Sequence, residues 1–172
     1  MTTKIEGESN IWGMQSGVKE EEPIMIKKQL IASEQSFVSS STTSLQIYLE
    51  NNPAIVGFEK EMLFANLNEI LSAHQSIISA ITQAESAGDI LLQITRHLDL
   101  YLTYCANLPN AFSVLAKLRE RGTFVEVILE DNFDIPTIEA LLEVPRVHLD
   151  DYSALIKVFI TFDLFIPILW HT

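Results

Sequence analysis

The chain has 172 residues, 48% of them hydrophobic, with six glycines and a formal net charge of −12. The apolar fraction suffices for one domain with a sizeable core and excludes a disordered chain, and glycine below the usual share of roughly 7% favours long helices over a turn-rich all-β design. A surface this acidic repels phosphate backbones and anionic lipid, which argues against nucleic-acid and peripheral membrane binding.

One cysteine, Cys105, cannot form an intrachain disulfide, and the amino-terminal MTTKIEGESN lacks the apolar core of a signal peptide. Both point to a cytoplasmic chain. Residues 1–23 read as a flexible acidic leader ending in Glu20-Glu21-Glu22-Pro23, in preference to a docking peptide centred on Ile11-Trp12.

A helical period begins at Ile24. Ile26, Leu30, Phe37, Val38, Leu45, Tyr48 and Leu49 share one face, the run Ser39–Thr43 reads as solvated, and Asn51-Asn52-Pro53 ends the helix. The second helix carries Leu63, Leu67, Ile70, Leu71, His74, Ile77, Ile78 and Ile81 at steps of one, three and four, until Ser86-Ala87-Gly88 breaks it. A third is predicted through Leu91, Ile94, Leu98, Tyr101, Leu102 and Cys105. Leu67, Ile70, Ile77, Leu98 and Leu102 are expected to be buried between these two. Pro109 is expected to open a fourth segment that stops at Gly122.

Residues 123–133 suit a strand or a short helix, and helix or irregular structure is favoured because no partner strand is evident. Pro136 and Pro145 bracket a short piece, and a last helix runs from about Leu149 into the 160s. The expected fold is all-α, an elongated bundle of five to six helices over residues 24–158. The tail 159–172 is apolar. Its stretch 158–170 holds ten apolar residues in thirteen but includes Asp163 and Pro167. A membrane span needs about 20 apolar residues, so a packing or aggregation-prone segment is the better reading.

The sequence carries no glycine-rich phosphate loop, GxSxG, HExxH or calcium-binding loop. His74, His97, His148 and His171 are far apart, without a second ligand at metal-site spacing, so no metal or cofactor is expected. His74 reads as a satisfied core histidine and Cys105 as a structural thiol. Bond-making enzymology has no evident machinery.

The string LYLTYCANLPNA, residues 100–111, resembles the middle of the Dbl-homology domain, in detail that of the PAK-interacting exchange factors (the PIX or Cool family). Three further segments agree in order. IKKQLIASEQSFVSSSTTSLQIYL resembles the first conserved region, with a Ser-Glu pair before an aromatic. EMLFANLNEILSAHQSII is similar to the region with the aromatic-x-Asn-x-x-Glu-Ile pattern. VPRVHLDDYSALIK resembles the third, with Leu149-Asp150-Asp151-Tyr152 near its leucine–aspartate–basic–tyrosine sequence.

The resemblance implies a guanine-nucleotide exchange factor for Rho-family, Rac-like small GTPases, acting in Rho signalling and cytoskeleton regulation. Such a domain binds both switch loops and stabilises the nucleotide-free state; it is not an enzyme in the bond-making sense. By position, Glu34 matches the glutamate that engages switch I and Lys157 the lysine that engages switch II, with His148 and Asp151 on the same GTPase-binding surface. The third region departs from the family: Val147-His148 stand where most members have Gln-Arg, and Asp151 replaces a basic residue. The long final helix of the family has no counterpart after Val158, so the chain resembles a truncated domain. Two alternatives stand beside exchange activity: a catalytically inactive helical interaction module derived from such a domain, and an unrelated helical scaffold.

Overall fold

The computed structural model describes residues 16–127 and 135–152. Among these it contains six helices: α1 (Ser16–Asn51), α2 (Phe58–Phe64), α3 (Leu67–Gln83), α4 (Ala87–Thr95), α5 (Leu98–Glu120) and α6 (138–152). No strand occurs among the described residues, in agreement with an all-α fold, and residues 123–127 are irregular. No helix among them is long and apolar enough to cross a membrane. The tail 159–172, Lys157 and most of the leader lie outside the described residues.

The 36-residue α1 starts at Ser16, earlier than the Ile24 at which the apolar period begins. Its buried positions, Leu30, Glu34, Phe37, Val38, Ser41, Ser44, Leu45 and Tyr48, form one continuous stripe. The hydroxyl run is therefore not wholly solvated, because Ser41 falls on the buried side of the turn. Asn52 closes the helix. Its amide nitrogen donates to the carbonyls of Tyr48 and Val125, and its oxygen accepts from the Val125 N–H, stitching the 123–127 segment to the end of α1.

The expected second helix is two helices. Ala65, at φ 45°, breaks the chain between α2 and α3, and the Asn66 side chain donates to the Leu100 carbonyl at 2.9 Å, fixing the break against α5. The expected third helix is also divided, at Arg96-His97. Ser86, expected as a breaker, is the N-cap of α4 in a reciprocal capping box with Asp89.

Pro109 does not open a new helix and Pro145 does not close a short piece, as each was expected to do. Pro109 lies inside α5 and Pro145 inside α6. Each removes a backbone hydrogen bond at a cost of about 3 kcal/mol. Burial on both sides outweighs that cost: Tyr101, Tyr104, Leu108, Ala111, Leu115 and Leu118 form one stripe on α5, and Ile138, Leu141, Leu142, His148 and Tyr152 one on α6. Gly122 does end α5, at φ 65°, with its N–H bonded to the Arg119 carbonyl and that of Thr123 to the Leu118 carbonyl, the Schellman arrangement.

The expected burial of Leu67, Ile70 and Ile77 holds, at 0%, 0% and 1% exposure, but Leu98 and Leu102 are 36% and 70% exposed. The turn at Arg96-His97 resets the helical phase, so α5 packs through its tyrosines and turns these leucines outward. The core has two clusters. The larger joins α1, α2, α3, α5 and α6; the smaller is built from Leu30, Ile77, Ile81, Ile90, Ile94 and Tyr152.

Candidate functional site

Glu34, His74 and His148 meet where the two clusters adjoin. Glu34 sits on α1 one turn past Leu30 and one before Phe37, so the stripe that buries those residues carries its carboxylate inward. His74 lies on α3 between Ile70 and Ile77, and His148 on α6 one turn before Tyr152. Exposure is 0% for Glu34, 0% for His74 and 6% for His148.

An ionised carboxylate is acceptor-only, so both rings donate to it. His74 Nδ1–H bonds Glu34 Oε2, and His148 Nε2–H bonds Glu34 Oε1 at 3.1 Å. The other nitrogen of His74 then accepts from the Tyr101 hydroxyl at 2.5 Å, and Tyr152 Oη lies 3.2 Å from His74 Nδ1. Burial opposes a charge on Glu34, but the two imidazoles outweigh it and hold its pKa down at about 2. Burial lowers the pKa of His74, and it raises those of Tyr101 and Tyr152, with the Glu34 carboxylate adding to both tyrosine shifts. Aromatic faces complete the packing. Phe37 stacks on His148 with centroids 4.1 Å apart, and Tyr152 lies parallel to His74 at 5.9 Å.

Of the GTPase-binding residues expected from sequence, the structure brings together Glu34, His148 and Asp151. Their environments differ. Glu34 and His148 are interior, whereas the Asp151 side chain is 64% exposed with its carboxylate 3.9 Å from His148 Nδ1. Beside them an open groove of about 560 Å³ runs between α1 and α6, lined by Ser33, Ser36, Phe37, Val144 and Val147 as well as His148 and Asp151. His148 thus joins the buried network to the surface. His74 and Tyr101 were not expected at this site. The signal for them was the coincidence of Glu34 and His74 with apolar stripes, a polar residue in each that needed a partner.

The match to family models decides the relationship. Residues 26–162 match the RhoGEF domain model. The chain belongs to the RhoGEF domain family. The RhoGEF assignment agrees with the all-α architecture and with the PIX-type resemblance. Human "Rho guanine nucleotide exchange factor 7" is 27% identical over 145 residues, covering 77% of this chain and 18% of that protein. The rat protein of the same name is 26% identical with 22% of its length covered. Mouse "Pleckstrin homology domain-containing family G member 2" is 25% identical over 114 residues, or 62% of this chain and 8% of that protein. The RhoGEF chain therefore spans less than a quarter of these relatives. No solved structure matches at a significant level.

Proposed function

We propose that this RhoGEF domain promotes GDP release from a Rho-family GTPase of the Rac-like type, in the cytoplasm, by binding the nucleotide-free GTPase more tightly than the nucleotide-bound one. No bond is made or broken. By linkage, a partner that prefers the empty GTPase weakens nucleotide binding by the same factor, which accelerates release if the transition state resembles the empty complex. The observation that carries this reading is the family match over 26–162, which spans both the α1 and α6 segments that flank the groove. In it, Asp151 and Lys157 contact the GTPase directly, while Glu34 and His148 set the shape of the face from beneath.

The burial of Glu34 favours a second reading, an interaction module that binds a GTPase without emptying it. A carboxylate held by two interior imidazoles is not offered to a partner at the surface. Release of a fluorescent guanine nucleotide from a panel of Rho-family GTPases separates the two. Acceleration that falls in Asp151→Ala or Lys157→Ala supports exchange. Binding to the nucleotide-free GTPase with spontaneous release rates supports the second reading, and neither binding nor release sinks both.

A further inference from the structure

We propose that Glu34, His74 and His148 form a binding site for one divalent transition-metal ion of the zinc type. This goes beyond exchange activity and does not depend on it. Each residue offers one ligand atom, and these atoms lie within 4.8 Å of one another although they come from α1, α3 and α6. Two imidazoles and one carboxylate are a protein ligand set that zinc uses when a further position is left open. Bond lengths of about 2.0–2.2 Å place ligand atoms roughly 3–3.5 Å apart around a tetrahedral ion, within that envelope. As the ion enters, the Glu34–His74 contact widens and the gap between the two rings closes.

The outer nitrogens strengthen the case. A metal-binding histidine holds its free N–H on an oxygen, which fixes the tautomer and aims the other lone pair at the ion. His74 Nε2 faces the Tyr101 hydroxyl at 2.5 Å, and His148 Nδ1 faces the Asp151 carboxylate at 3.9 Å. Tyr152 Oη, 3.2 Å from His74 Nδ1, adds an oxygen on the inner side. In the metal-free arrangement His74 Nδ1 and His148 Nε2 carry protons toward Glu34. With the ion bound, each ring carries its proton on the opposite nitrogen, and the Tyr101 hydroxyl turns from donor to acceptor. Neutral rings need no net proton release for this change. The groove beside His148 provides the way in.

The test uses the full chain, stripped with chelator, and zinc ion alone as the probe in calorimetric titration, with cobalt(II) absorption reporting ligand geometry. One ion per chain should bind saturably, with visible cobalt bands of tetrahedral intensity and a zinc-dependent rise in thermal midpoint. H148Q should abolish all three. If H148Q fails to fold, Y101F and D151N carry the test, because both keep all three ligands. At least one should bind about tenfold or more weakly, the usual effect of removing such an outer partner. H97Q and C105S should bind like the unaltered chain. Absent saturable binding, binding that survives H148Q unchanged, loss in C105S or H97Q, or unaltered affinity in both Y101F and D151N would each overturn the proposal.

Discussion

Leu115 on α5 and Glu34 on α1 are equally withdrawn from water, at 1% and 0% exposure, but their neighbours differ in kind. Leu115 belongs to an apolar cluster whose polar visitors are tied off one by one: the Tyr48 hydroxyl donates to the Pro136 carbonyl at 3.0 Å, and that of Tyr104 to Leu142 at 2.9 Å. Glu34 belongs to a network of shared partners: removing it strands both imidazoles, and removing His74 strands Glu34 and Tyr101. Dispersion and area burial are non-directional, so the first region tolerates repacking. Hydrogen bonds in a dry site are directional and costly to leave half-made, so the second specifies one arrangement of α1, α3 and α6.

The sharpest way to break this contrast is truncation on each side. Glu34→Ala leaves two buried imidazole donors without an acceptor, at about 1–3 kcal/mol each, a total of about 2–6 kcal/mol. Leu115→Ala should cost a similar amount, about 2–5 kcal/mol, through lost transfer energy and a cavity. Urea melts in the presence of chelator, repeated across pH, tell the two apart. Glu34 has a folded pKa of about 2 against an ordinary 4.5, so its contribution is present in full above 4.5 and is lost as pH falls through about 2. His74, lowered below its ordinary 6.5, resists charging, so it too makes the fold less stable as pH drops below 6.5. Around these groups lie His148, Tyr101 and Tyr152, with Asp151 and His97 farther out. The Leu115→Ala chain should keep the full acid sensitivity of the parent, and Glu34→Ala should lose its lower part. Equal acid sensitivity in both variants would show that the network is not what acid attacks.

The helices were legible in the sequence where apolar spacing was unbroken. Leu67, Ile70 and Ile77 announced their burial, and Gly122 its stop. The site was less legible because it is built from residues that apolar spacing skips. Glu34 completes the stripe of Leu30, Phe37 and Val38, but a carboxylate in such a stripe reads as surface until its partners are known. His148 was hidden by Pro145, whose presence suggested a break between the turn carrying Leu141 and Leu142 and the turn carrying His148. The cost of a proline is local, and the burial that outweighs it is not. The family resemblance placed Glu34, His148 and Asp151 on one GTPase-binding surface, but not that two of them face inward.

A milder test probes the apolar side of the contrast at a polar atom. Tyr104→Phe removes the hydroxyl that serves the Leu142 carbonyl and leaves the ring in place. Because Leu142 lies inside α6, its carbonyl keeps a helical partner, so the loss should be about 1 kcal/mol. A loss above about 3 kcal/mol in the same urea melts would mean that the larger cluster depends on its polar tethers as the Glu34 network does.

The smallest expected effect comes from the outward face of the same helix. Leu102 lies only two residues from Tyr104 but is 70% exposed, whereas Tyr104 is 1% exposed. The difference is set by the turn at Arg96-His97, which gives α5 its own phase. Leu102→Ala removes little buried area, and alanine is at least as good a helix former as leucine, so stability should change by less than about 0.5 kcal/mol. A continuous helix from Leu91 to Cys105 would place Leu102 in the core, and the same substitution would then cost about 2–5 kcal/mol. The two phases are therefore separated by a several-fold difference in one measurement. A large loss at Leu102 would also displace Tyr101 from His74, and the polar network would have to be redrawn with it.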